Sequence, residues 1–98
     1  MTGDDAVSEV CVELSGEYDL RRRQELALLF ESLQGDDPVV IDLAKVSYLD
    51  STMLNELSIF RSRNRERQIT LRGANENIRR ILRLVDFDSL FNVTEAES

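Results

Sequence analysis

Apolar and polar positions divide the chain into short alternating and helical stretches. Val10, Val12 and Leu14 alternate with Glu9, Cys11 and Glu13, the pattern of a half-buried strand over Glu9–Leu14. Ser15-Gly16-Glu17-Tyr18-Asp19 reads as a loop, with Asp19 as N-cap of a helix over Leu20–Leu33. Leu26, Leu29, Phe30 and Leu33 give that helix its i, i+3, i+4, i+7 stripe. Gly35-Asp36-Asp37-Pro38 ends it, Gly as the stop and Pro as the breaker. Val39–Leu43 is an apolar run broken only by Asp42, suited to a strand buried on both faces. Ala44–Asp50 reads as a loop. A second helix runs from Ser51 to about Arg65, with Met53, Leu57, Phe60 and Asn64 on one line and Leu54 beside it. Gln68–Arg72 is the next strand, Ile69 and Leu71 alternating. Gly73-Ala74-Asn75 is a turn, and Asn75 is placed to cap a third helix striped by Ile78, Ile81, Leu82 and Val85. Asp86-Phe87-Asp88 closes that helix, and Leu90–Val93 is a short last strand.

Strand, helix, strand with short connections is a βαβ unit, which pairs its strands in parallel through a right-handed crossover. The expectation is one α/β domain over residues 1–98, of two layers: a mixed sheet of about four or five strands, mostly parallel in its later strands, with helices mainly on one face. Met1–Val7 is expected to be flexible or a frayed first strand.

Composition narrows the function. The chain has 98 residues, 42% of them hydrophobic and 32% charged, which fits a globular domain. No apolar run approaches the roughly 20 residues of a membrane span, so no membrane insertion is expected. Met1–Val7 carries Asp4 and Asp5 without a basic or apolar core, unlike a secretory signal, and a cytoplasmic location follows. With no His and one Cys, neither a zinc nor a haem site is expected, nor any cofactor; Cys11 reads as a small buried strand residue. The net charge of −7 argues against nucleic acid. Yet Arg61, Arg63, Arg65, Arg67, Arg72, Arg79, Arg80 and Arg83 crowd one stretch against only Glu66 and Glu76. They are either a solvated surface with basic helix C-termini or a patch for an acidic partner. Arg21, Arg22 and Arg23 lie in a first helical turn, where the dipole disfavours cations, and no folding reason for them is legible in the sequence.

No enzyme constellation is present: without His there is no Ser-His-Asp triad, and the four glycines are scattered. Asp36-Asp37 and Asp86-Asp88 read as turn chemistry. Asp42 either points out at the end of the sheet or hydrogen-bonds a loop. Ser51 has two compatible readings: a helix cap with Asp50 making the turn, or an exposed phosphoacceptor.

Gly16-Glu17-Tyr18-Asp19, Ile41-Asp42-Leu43 and Asp50-Ser51 before an amphipathic helix resemble the STAS domain family, over roughly Val10–Val93. The family includes anti-sigma factor antagonists and the cytoplasmic domains of sulphate transporters. The resemblance to the antagonist branch implies that Ser51 is the phosphorylated switch. It implies a binding face of Gly16, Glu17, Asp19, Asp50, Thr52, Asn55 and Glu56. The implied partners are an anti-sigma factor with serine-kinase activity, bound while Ser51 is unphosphorylated, and a serine phosphatase; a homo-oligomer is left open. The alternative is a constitutive STAS adaptor of a transporter or stress-signalling assembly. Two departures mark this chain. Thr52-Met53 stand where small residues and Gly are usual, with Met53 expected to crowd an approaching kinase. The sequence ends soon after the last strand, where typical members carry another helix.

Overall fold

The computed structural model describes residues 9–95; the expectation for Met1–Val7 lies outside them. Four strands, β1 (Val10–Tyr18), β2 (Val39–Leu49), β3 (Ile69–Arg72) and β4 (Asn92–Thr94), form one sheet in sequence order. Three helices, α1 (Arg23–Glu31), α2 (Ser51–Arg63) and α3 (Glu76–Leu84), alternate with them. Every strand pair is parallel. The described sheet is therefore parallel throughout, where a mixed sheet was expected. Each crossover is a βαβ step to the next strand in the same direction, so a constant right hand puts every helix on the same face.

That topology sets the core. Val39, Ile41, Leu43, Val46 and Leu49 of β2 and Ile69 and Leu71 of β3 point under the helices. They meet Leu26 and Phe30 of α1, Met53, Leu57 and Phe60 of α2, and Ile78 and Leu82 of α3. Phe30 and Phe60 stack at 4.9 Å between ring centroids, joining α1 to α2. The β2 run is not buried equally on both faces as expected. Val40 is buried on the other side, but Asp42 is half-exposed there, paired with Arg72 at 3.1 Å. Cys11, in register with Val40, is exposed rather than buried, because alternation turns it to the face the helices do not cover.

The two longest strands run further than their patterns indicated. β1 continues through the expected loop to Tyr18, and β2 through Ala44–Asp50 to Leu49. Their pairing shifts register between Glu13 and Ser15 and again between Gly16 and Glu17. Each irregularity breaks the period of two. The extra residues lie on β2, so β1 keeps its period through Leu14 and Tyr18 while Leu43, Val46 and Leu49 of β2 turn inward at a spacing of three that does not read as a strand. Gly16 sits at φ 86°, a conformation that favours glycine.

Arg67 ties the far end together. It is buried without a carboxylate partner among the described residues. Its guanidinium donates to the carbonyls of Asp37 and Leu33 at 2.5 Å, and to Gln34 O and Asn64 Oδ1 at 3.4 and 3.3 Å. The segment after α1 is thereby bound to the turn after α2. Arg67→Ala should lower stability by about 2–3 kcal/mol in chemical denaturation with an unchanged denaturant slope, since it strands buried acceptors. Arg67→Lys should recover less than half of the loss, because one ammonium cannot span the same carbonyls.

Candidate partner-docking site

The C-terminal ends of β1 and β2 lie side by side, Tyr18 in register with Leu49, and the Asp50 N–H donates to Tyr18 O at 3.2 Å. Each strand then delivers an Asp to a helical start. Asp19 (φ −128°, ψ −168°) and Asp50 (φ −127°, ψ −167°) share one extended conformation. Asp19 Oδ1 accepts the Arg21 N–H at 2.9 Å, opening a 3₁₀ turn (Leu20–Arg22) before α1; Asp50 Oδ1 accepts the Thr52 N–H at 2.8 Å, opening α2. The two segments singled out in the sequence thus form one pole of the molecule.

Asp50 is the cap of α2, not Ser51. Ser51 is the first helical residue, exposed, and its hydroxyl makes no hydrogen bond among the described residues. Thr52 is half-buried, and Gly16, Glu17 and Asn55 are exposed. Two expectations are corrected. Glu56 is only 5% exposed and does not belong to the outer rim: it lies between α2 and α1, 3.9 Å from Arg23. Met53 is fully buried in the core, so its bulk does not meet a partner.

The three arginines after Asp19 have a folding role. Arg21 pairs with Asp19 at 2.8 Å. Arg22 lies 4.0 Å over the Tyr18 ring and donates to Ser15 O, Glu17 O, the Tyr18 hydroxyl and Glu25, closing the C-terminal end of β1. These contacts outweigh the weak dipole penalty expected at such exposure. Leu20, 70% exposed, and Tyr48, 49% exposed, add apolar surface to the same pole. Sequence reasoning missed both; their position immediately before or after the capping Asp segments was the one available signal.

The arginine from Arg21 holds the Asp19 carboxyl below its ordinary value of 3.8, and that from Arg22 holds Glu25 below 4.5. Asp42 is lowered mainly by the Ala44 N–H and then by Arg72. A depressed carboxyl stabilises the fold when ionised, fully above its unfolded pKa, and that stabilisation is lost as pH falls through the folded value.

The family model described as "Mlab, STAS domain" matches residues 1–93. The chain belongs to the STAS domain family. A STAS-domain containing protein of Pseudomonas aeruginosa (strain UCBPP-PA14) is 27% identical over 89 residues, 88% of each chain. A sulfate transporter family protein from Wolinella succinogenes superposes with a TM-score of 0.73 at 16% identity, over 90% of this chain and 77% of that one. The SulP transporter STAS domain from Vibrio cholerae gives 0.71 at 18%, over 90% and 73%. At those identities the likeness is one of fold, and it agrees with the two-layer α/β expectation. No described helix is long and apolar enough to cross a membrane. As a STAS domain the chain is a binding and regulatory module.

Asp50→Ala should cost about 1 kcal/mol of stability, the loss of an N-cap, whereas Ser51→Ala should stay within about 0.5 kcal/mol. Thermal melts of the two variants separate capping from exposure. Stability should fall as pH drops below about 4.5, and Asp42→Asn should flatten that slope; melts in buffers from pH 6 down to about pH 3 would measure it.

Proposed function

We infer that this STAS domain is a phosphorylation-switched protein-binding module of the anti-sigma factor antagonist kind, with Ser51 as phosphoacceptor. The observation that supports it is the division of labour at the start of α2. Asp50 does the capping, so Ser51 stands exposed with its hydroxyl uncommitted. A kinase can reach Ser51 without unwinding the helix. Phosphate at a helix N-terminus sits among free N–H groups and a favourable dipole, so the fold persists. The surface changes instead. A pole of Leu20, Tyr48, Asp19 and Asp50 gains about −1.5 to −2 charges and three hydrated oxygens. A partner packed there is repelled or must desolvate the phosphate.

On this reading the unphosphorylated protein binds and sequesters an anti-sigma factor that is also a serine kinase. Gly16, Glu17, Asp19, Asp50, Thr52 and Asn55 form the contact. The kinase moves the γ-phosphoryl of ATP onto Ser51 Oγ, ADP leaves, the hydroxyl proton passes to the kinase, and the contact ends. A serine phosphatase restores it. The chain itself acts in the cytoplasm and contributes no catalytic group.

A second reading has a specific observation in its favour. Both solved relatives described above are named as transporter proteins, and the same pole could dock a transporter or stress-signalling assembly constitutively, with Ser51 only opening α2.

Phosphosite mapping by mass spectrometry on the protein from its own cells, growing and stressed, tests the switch. Condition-dependent phosphate at Ser51 is expected. Ser51→Asp should recover at least about tenfold less of the bound kinase than Ser51→Ala in affinity purification, the effect of placing charge at a contact. An unphosphorylated Ser51 in every condition, with Ser51→Asp binding as wild type does, would establish the adaptor reading instead.

A further inference from the structure

One flank of α2 is covered and the other is open. α1 lies directly along it through the Phe30–Phe60 stack, whereas α3 stands apart from it. On α3, Ile78 and Leu82 enter the core and Arg79 reaches Glu95, beyond β4, at 3.3 Å. At 3.6 residues per turn this turns Ile81 and Leu84 toward α2, and turns Leu54, Ser58 and Arg61 of α2 toward α3. The result is a groove between the two helices. Leu54 and Ile81, half-buried on the core, form its floor. Leu84, at 78% exposure the most exposed large apolar residue among those described, forms one lip. At the far end, the turn Phe87–Ser89 brings exposed Leu90 against Ser58, Arg61, Ser62 and Arg65, around a hollow of about 370 Å³.

The groove is basic within a chain of net charge −7. Arg65 and Arg80 are exposed and form no ion pair among the described residues. Arg61 is held in the wall by the carbonyl of Arg67 at 2.6 Å. Asp88, two residues before Leu90, lines one hollow on the β4 side with Arg79 and Arg83 and a second with Arg61 and Leu90, so it offsets Arg61 and leaves Arg65 and Arg80 as the groove's free cations among the described residues. An apolar trough edged by unpaired guanidinium groups fits a helix with an apolar face and acidic flanks.

We propose that the α2–α3 groove is a second docking site, which takes an acidic amphipathic helix of a partner protein. Leu84 and Leu90 contact its apolar face, and Arg65 and Arg80 its carboxylates. The basic end of the groove is separate from the switch pole: Arg61 lies about 15 Å along α2 from Ser51. A partner held there stays bound whatever the state of Ser51, so the domain joins one constant and one switched partner.

The test uses ¹⁵N-labelled full chain and two synthetic amphipathic peptides about five turns long, leucine on one face and glutamate on the other, or lysine in place of every glutamate. The glutamate peptide is expected to shift the amides of Ser58, Ser62, Leu84 and Leu90, with Gly16–Asp19 unmoved, and the lysine peptide to leave them unchanged. R65E/R80E should weaken the glutamate peptide at least about tenfold, L84S/L90S should abolish its shifts, and S51D should leave them as they are. All the substituted side chains except Leu90 are largely exposed, and unchanged melting temperatures would verify folding. Equal responses to the two peptides, shifts confined to the Ser51 pole, or no shifts would overturn the proposal. So would binding to phosphatidylserine vesicles that R65E/R80E removes, which assigns the groove to lipid. Self-association in sedimentation that L84S/L90S removes would assign it to a second copy.

Discussion

The pairing of β1 with β2 is the constraint on which the molecule depends. It is the longest strand pairing in the sheet, and its two register irregularities carry both strands onward to the same level. There the Asp50 N–H meets Tyr18 O, and the two capping aspartates leave the sheet side by side in the same conformation. Without the two extra residues of β2, Asp50 would be displaced from Asp19 and the pole would have no single surface.

Arginine does much of the work that apolar contacts cannot do in a small domain whose sheet is covered on one face. Arg22 closes the C-terminal end of β1, Arg67 closes the opposite end between α1 and α2, and Arg72 answers Asp42 on the open face. In the first two cases the main acceptors are backbone carbonyls. A planar, five-donor group suits that role better than an ammonium. The arginine-rich stretch is therefore of two kinds. Arg61, Arg67, Arg72 and Arg79 have intramolecular partners, while Arg63, Arg65, Arg80 and Arg83 have none among the described residues. Part of it is structural, and part is surface chemistry with no use inside the domain.

At the pole where β1 and β2 end, capping and exposure are assigned to adjacent residues. Asp50 binds the free N–H of the first turn, and Ser51 beside it is spared. That separation allows charge to be added to the surface without removing a fold-stabilising bond. The same separation works in reverse at Glu56, whose carboxylate is turned inward between α1 and α2 and lies on the wall of the hollow between them, facing Arg23.

Local pattern by itself determined a good deal about this protein. The helices, their caps at Asp19 and Asn75, the βαβ units and the Asp50-Ser51 helix start follow from side-chain oxygens, turn residues and the 3.6-residue stripe, all of which act within a few positions. The STAS resemblance followed from the same short segments. Tertiary structure decided what depends on partners distant in sequence. Pairing extended β1 to Tyr18 and β2 beyond its alternation, because the extra residues of β2 rephase its side chains only when a neighbouring strand is present. One-way crossovers exposed Cys11 and half-exposed Asp42, since which face of a strand is covered depends on where the helices land. Packing against α1 and the core buried Glu56, next to exposed Asn55, and Met53, two positions from exposed Ser51. The roles of Arg22 and Arg67 were equally hidden, because their acceptors are carbonyl groups, which every residue carries and no sequence pattern marks.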